Sequence, residues 1–368
     1  MPDSPGNPDP DPDPLPGTPD PDRPPGPARF PRLPDDVRSL GSPGTPDAST
    51  TDASTTGTFA TGTFADALRR GPLVLDGGLS NQLEAAGERL DGGLWSARLL
   101  LDRPEALVAA HRAYYEAGAD IAVTGSYQAT FEGFARHGVD RRGAAELLRS
   151  AVALAREAAR TAVPGRRPRW VAASAGPYGA MLADGSEYRG RYGLTVAELE
   201  RFHRPRLEAL AAAAPDVFAL ETVPDTDEAR ALVRAVRGLG VPAWLSYNVR
   251  GDRTRAGQPL AEAFEVAAGA DEVVAVGVNC CAPADADAAI AMAARVTGKP
   301  VVVYPNSGEG WDAVRGVWTG PRHFTARRVD GWLASGARLV GGCCRVGPAA
   351  ITETAARVRN ATGPLGPR

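Results

Sequence analysis

The residues best suited to chemistry in this 368-residue chain are its four cysteines, which stand in two touching pairs. Cys280 and Cys281 belong to the run "AVGVNCCAP" (275–283), Cys343 and Cys344 to "RLVGGCCRVGP" (338–348). A thiolate is a nucleophile and a ligand for soft or borderline metal ions. Three thiolates converging on zinc leave one coordination position open, the arrangement of a catalytic site. Other uses of sulfur fit the spacing less well. A disulfide between adjacent cysteines is strained, and the C-x-x-C redox spacing is absent. A closed structural zinc site wants a fourth Cys or His, yet His111, His137, His203 and His323 fall in or near helical stretches, as packing or surface residues. Buried free cysteines also serve as small apolar core residues, and spacing alone does not separate that use from ligation.

Convergence requires elements that bring the two pairs together. From Pro72 onward, short apolar runs recur at 72–78, 120–127, 169–177, 216–222, 242–249, 272–280, 300–306 and 337–344. They are rich in β-branched residues with little polar alternation, as strands buried on both faces are. Ala/Arg/Glu/Leu stretches with helical spacing lie between most of them, as at 143–162, 195–214 and 225–240. Eight strands alternating with helices predict a (β/α)8 TIM barrel. A doubly wound open sheet competes, but "LDGGLSNQLE" does not match the G-x-G-x-x-G turn expected there. In a barrel the functional groups sit at the C-terminal ends of the strands. The candidates there are Asp76, Gly77, Gly78, Tyr127, Gln128, Glu221, Asn248, Cys280, Asn306, Cys343 and Cys344.

The cysteine pairs end the sixth and eighth runs, whose ends face one mouth. Alternate residues of a strand point to opposite faces, so two adjacent cysteines reach inward only where the strand is ending. Gly341 and Gly342 permit that through irregular backbone or close approach. No such pair precedes Cys280 and Cys281, so one of those two is expected to point away; alternation does not say which.

Residues 1–64 read differently. Pro/Asp repetition and Ser/Thr-rich echoes bury too little apolar surface to offset chain entropy, and predict a disordered tail. The barrel domain is expected over 65–362. A net charge of −3 with both signs mixed gives no footprint for nucleic acid. No run is long enough for a membrane span, and no basic start with an apolar stretch marks a secretory signal. Four cysteines are too few for a disulfide framework, so a reducing, cytoplasmic setting is expected. Lys299, the only lysine, precedes the seventh run at the wrong end for Schiff-base chemistry.

From about Pro72 to about Arg359 the sequence resembles the cobalamin-independent homocysteine S-methyltransferases, zinc enzymes built on a (β/α)8 barrel. The resemblance is carried by "LDGGLSNQLEAAG", "LWSARLLL", "GSYQATFEGFARHG", "GPYGAMLADGSEYRGRYG", "FHRPRLEAL", "ALETVPD", "GVNC", "VVVYPNSGE" and "RLVGGCCRVGP". It implies one Zn2+ per chain on Cys280, Cys343 and Cys344, with Cys281 outside the pattern. It also implies methyl transfer to the homocysteine thiol. "ADGSEYRG" and "YPNSGE" point to the subgroup using S-methylmethionine or S-adenosylmethionine rather than betaine. Asp76 and Glu221 are implied to bind homocysteine, with the N–H groups of Gly77 and Gly78 available to its carboxylate. Gln128, Asn306 and Tyr127 are candidate polar contacts. Trp95, Tyr127, Tyr178 and Tyr188 are candidate aromatic faces for a sulfonium cation. A different thiol or selenol acceptor, or a zinc-binding barrel without catalysis, are the alternatives.

Overall fold

The apolar runs become eight parallel strands. The computed structural model describes residues 62–90, 94–165, 167–312 and 317–362. The strands are β1 (Leu73–Val74), β2 (Ile121–Val123), β3 (Trp170–Ala175), β4 (Val217–Val223), β5 (Ala243–Tyr247), β6 (Val273–Asn279), β7 (Val301–Tyr304) and β8 (Ala337–Val340). They pair in the order β1-β8-β7-β6-β5-β4-β3-β2, every pair parallel. A parallel bridge from Leu75 to Ile121 joins the two ends of that order. There Asp120 N donates to Val74 O at 2.7 Å and Asp76 N to Ile121 O at 3.0 Å. The fold is therefore a (β/α)8 barrel.

Strand burial explains the composition of the runs. Every residue of β3, β4 and β5 is buried. Along β4, Val217 and Ala219 face the barrel interior, while Phe218 and Leu220 pack against the helical layer. Glu221 continues the inward series, so alternation aims its carboxylate into the barrel.

The helices follow their sequence signals closely. The stretch expected at 143–162 is Arg141–Thr161, capped by Asp140, which accepts from Gly143 N at 2.7 Å. Val196–Ala211 starts at a Thr195/Glu198 capping box. Thr226–Val236 starts at Asp225. His111 and His203 are buried in helices Pro104–Glu116 and Val196–Ala211.

A short helix, Phe64–Arg70, covers the opposite end of the barrel from the cysteines. Its Phe64 ring lies 5.7 Å from Trp170 and 6.5 Å from Trp244, near the starts of β3 and β5. Lys299 is also at that end, donating to Ala270 O and Val273 O. Of the expected tail, residues 1–61 lie outside the described residues. Among the described residues no helix is long and apolar enough to cross a membrane.

Candidate active site

The sixth strand ends at Asn279, and Cys280 follows with φ 53°, a left-handed conformation that a side chain disfavours. Ala275 faces inward and Val276 and Val278 outward, so strict alternation would turn Cys280 out. The left-handed residue reverses this and aims Cys280 into the barrel mouth. Cys281 then falls into the outer apolar core at 4% exposure, and burial pushes its thiol pKa up. Three hydrogen bonds hold the turn. Cys280 O accepts from Asn248 Nδ2 at 2.7 Å and Asn306 Nδ2 at 3.1 Å, and Cys280 N donates to Tyr304 O at 3.2 Å.

Cys343 and Cys344 stand in the turn after β8. Its glycines serve close approach: a Cβ on Gly341 would lie 2.6 Å from Leu75 Cβ, and one on Gly342 2.2 Å from Val346 Cγ1. Cys343 N donates to Pro305 O at 2.8 Å, Cys344 N to Asn306 Oδ1 at 3.1 Å and Arg345 N to Asn81 Oδ1 at 2.7 Å. The Asn306 side chain thus ties the backbone of one cysteine turn to that of the other.

The three sulfurs meet. Cys280 Sγ is 3.2 Å from Cys343 Sγ and 3.6 Å from Cys344 Sγ, and Cys343 and Cys344 are 4.0 Å apart. Thiolates about 2.3 Å from one ion at tetrahedral angles would be about 3.8 Å apart, so the group fits a metal ion with little movement. Among the described residues this is the one cluster of three metal-ligating side chains. Hydrogen bonds with Cys280 and Cys343 hold the Cys344 thiol well below its ordinary pKa, while the bonds of Cys343 with Cys280 and Cys344 push the Cys343 thiol well up. An opposite charge placed among the three sulfurs would favour their ionised forms.

The cavity beside the sulfurs is acidic. Asp76, Glu187 and Glu221 line it, and no Lys, Arg or His does among the described residues. Burial raises the Asp76 carboxyl well above its ordinary pKa, against the pull of Val123 N, which donates to Oδ2 at 2.8 Å. Burial likewise raises Glu221 to about 7, with Ser174 and Tyr304 pulling it back. Glu221 accepts from Ser174 Oγ at Oε1 and from Tyr304 OH at Oε2, the latter at 2.9 Å. Tyr304 OH also accepts from Trp244 Nε1 at 3.0 Å and lies 2.8 Å from Ser246 Oγ. Ser246 Oγ donates to Asn279 Oδ1 at 2.8 Å. Asn279 holds Thr222, itself left-handed at φ 61°, by bonds of 2.7 and 2.8 Å. Glu221 is therefore fixed on both sides by inward-facing polar groups of β3 to β7.

The expected contacts divide. Gly77, Gly78, Tyr127, Gln128 and Tyr188 line the cavity. Gly78 N, however, donates to Val346 O at 2.9 Å and is not free for a carboxylate. A Cβ on Gly77 would sit 2.0 Å from Val346 O, and one on Gly78 2.7 Å from Cys343 O. The glycines admit the cysteine turn. Gln128 Nε2 donates to Ala180 O at 3.0 Å and leaves its buried Oε1 without a partner. Tyr188 OH lies 3.8 Å from Cys280 Sγ. Tyr178 instead packs on Tyr192 and Phe202, with ring centroids 5.2 and 4.8 Å away. The Trp95 side chain lies outside the described residues. Sequence reasoning passed over Glu187, Asn279, Ser174 and Tyr304. The buried Asn in "GVNC" was the available signal for one of them: a polar residue in an apolar strand requires partners.

The chain is similar to known proteins over most of its length. The homocysteine S-methyltransferase family model matches residues 73–358. Homocysteine S-methyltransferase from Escherichia coli (strain K12) is 44% identical over 294 residues, covering 77% of this chain and 94% of its own. Selenocysteine Se-methyltransferase from Brassica oleracea var. italica is 40% identical over 302 residues, covering 76% and 87%. The crystal structure of the Escherichia coli homocysteine methyltransferase MmuM in its metallated form has a TM-score of 0.70 at 41% identity, over 78% of this chain and 96% of that one. With the match running the length of the barrel, the chain belongs to the homocysteine S-methyltransferase family.

Proposed function

We propose that this protein transfers a methyl group from a sulfonium donor, S-methylmethionine or S-adenosylmethionine, to the thiol of homocysteine, giving methionine. One zinc ion per chain is held by Cys280, Cys343 and Cys344. The observation that carries the reading is the meeting of the three Sγ atoms, all within 4.8 Å of one another, beside a cavity that no basic residue lines among the described residues. A free thiol has a pKa of about 8.5 and is mostly protonated at neutral pH. Cys280, Cys343 and Cys344 would hold the ion as thiolates, and zinc there would supply the Lewis acidity that lowers the pKa of an incoming thiol.

The chain's own residues bind and orient. Asp76 and Glu221 receive the homocysteine ammonium as charge-assisted hydrogen-bond acceptors. Ser174 and Tyr304 keep Glu221 in place for that contact. Tyr127 and Tyr188 offer ring faces to the sulfonium. In the transfer, the homocysteine sulfur forms the new S–C bond as the donor's S–CH3 bond breaks. That electron pair stays on the donor sulfur, which becomes a neutral thioether. The homocysteine proton has already left, so the methyl step needs no general base. Exclusion of water from this buried mouth strengthens the attraction between anionic and cationic sulfur.

The likeness to a selenocysteine Se-methyltransferase favours a second acceptor class, a selenol, which is already ionised at neutral pH. The test is a methyl-transfer assay on zinc-loaded protein. Homocysteine is offered with S-methylmethionine, S-adenosylmethionine and betaine in parallel, and selenocysteine with each sulfonium. Methionine is expected from at least one sulfonium and not from betaine. Product from betaine alone, or from none of the three, overturns the proposal.

A further inference from the structure

The three carboxylates of the cavity are not equivalent. Asp76 and Glu221 sit at the ends of β1 and β4, with protein donors on Asp76 Oδ2 and on both Glu221 oxygens. Glu187 lies outside the strands, on the turn Ser186–Tyr188 that follows β3. It is 4% exposed, lines the cavity, and its Oε2 has no hydrogen-bond partner. The next residue, Tyr188, reaches 3.8 Å from Cys280 Sγ, so this turn walls the thiol site. A buried carboxylate oxygen without a donor is costly, and among the described residues no basic side chain lines this cavity to relieve it. A cationic group of a bound ligand would supply that hydrogen-bond donor.

We propose that Glu187 binds the α-ammonium group of the methyl donor, an inference that rests on the sulfonium-donor reading above. Two positive groups of the donor compete for it. The sulfonium charge disappears during transfer, so a carboxylate against it would stabilise the reactant more than the transition state and slow the reaction. The ammonium charge is unchanged by transfer, and pairing it costs nothing in rate. With Asp76 and Glu221 assigned to the acceptor, Glu187 is the remaining acidic group in the cavity for the donor.

The test compares zinc-loaded wild type, Glu187→Gln and Glu187→Asp. The probes are S-methylmethionine and its des-amino counterpart, and S-adenosylmethionine and its des-amino counterpart. Wild type is expected to prefer the amino form by roughly 30-fold or more in kcat/KM, the scale of a desolvated charge pair. In Glu187→Gln the donor KM rises by about that factor and the preference falls below about threefold, while kcat at saturating donor and the homocysteine KM stay within about threefold. Glu187→Asp, which keeps the charge, keeps most of the preference. Zinc content equal to wild type shows that the variants are folded. A rise in homocysteine KM in place of donor KM overturns the assignment, as does a preference that survives in Glu187→Gln. A wild-type enzyme that uses neither sulfonium removes the underlying reading itself, and this inference with it.

Discussion

Cys280 adopts a backbone conformation that costs about 1–3 kcal/mol for a residue with a side chain, and its aim depends on that conformation. Thr222, Cys280 and Arg345 are left-handed at φ 61°, 53° and 66°, and all three stand at this mouth. Asparagines stabilise them: Asn279 at Thr222, Asn248 and Asn306 at Cys280, and Asn81 at Arg345. Asn306 is a candidate polar contact by sequence, and both ends of its amide are engaged by the cysteine turns. Its partners lie 26 and 38 positions away along the chain, a relation that no local pattern encodes. Asn306→Ala is therefore expected to weaken metal affinity about 10- to 100-fold, as loss of a group that orients metal ligands does, measured by competition against a chelator. Cys281→Ala, which touches the apolar core alone, should keep both metal and turnover. Metal loss in Cys281→Ala with full retention in Asn306→Ala would show that the wrong member of the pair has been assigned.

At the scale of elements, two turns interlock. The turn after β1 and the turn after β8 approach so closely that Gly342 N donates to Asp76 O at 3.1 Å and Gly78 N to Val346 O at 2.9 Å. Tyr114 OH donates to the carbonyls of Gly78 and Val346, at 3.0 and 3.2 Å. Gly77→Ala would drive a methyl group to 2.0 Å from Val346 O and 2.9 Å from the Tyr114 ring. Overpacking of this kind costs about 1–3 kcal/mol, so the melting temperature is expected to fall by several degrees and metal affinity to fall with it. Unchanged values for both would show that the turns are not coupled. The strands were legible because both faces are buried, which leaves unbroken apolar runs. Their limits were not: the runs extended through Asp76 and Asn306, which belong to turns, and β1 is only Leu73–Val74. Glu187 was not legible either. It sits on a three-residue 3-10 turn without periodicity, so only the path of the chain decides which of its side chains enters the cavity.

At the scale of the whole molecule, β7 lies between β6 and β8, and the barrel brings Cys280 beside residues 63 and 64 positions later. Closure was legible from the count of eight runs, and closure alone predicts that the two cysteine pairs share a mouth. The choice within the first pair was not legible from alternation, because it turns on one left-handed residue; the family resemblance supplied it. The helix Phe64–Arg70 packs Phe64 and Leu68 into the inner core at the far end, leaving the cysteine end as the side where a ligand enters. The proposed function requires Cys280, Cys343 and Cys344 together to hold one metal ion on which turnover depends. The most direct measurement is the zinc content of the purified full chain beside that of Cys343→Ala, by elemental analysis, with methyl transfer assayed on the same samples. About one zinc per chain is expected in the first, close to none in the second, and activity in the first alone; full activity in a metal-free sample, or zinc retained by Cys343→Ala, would rule out this metal site.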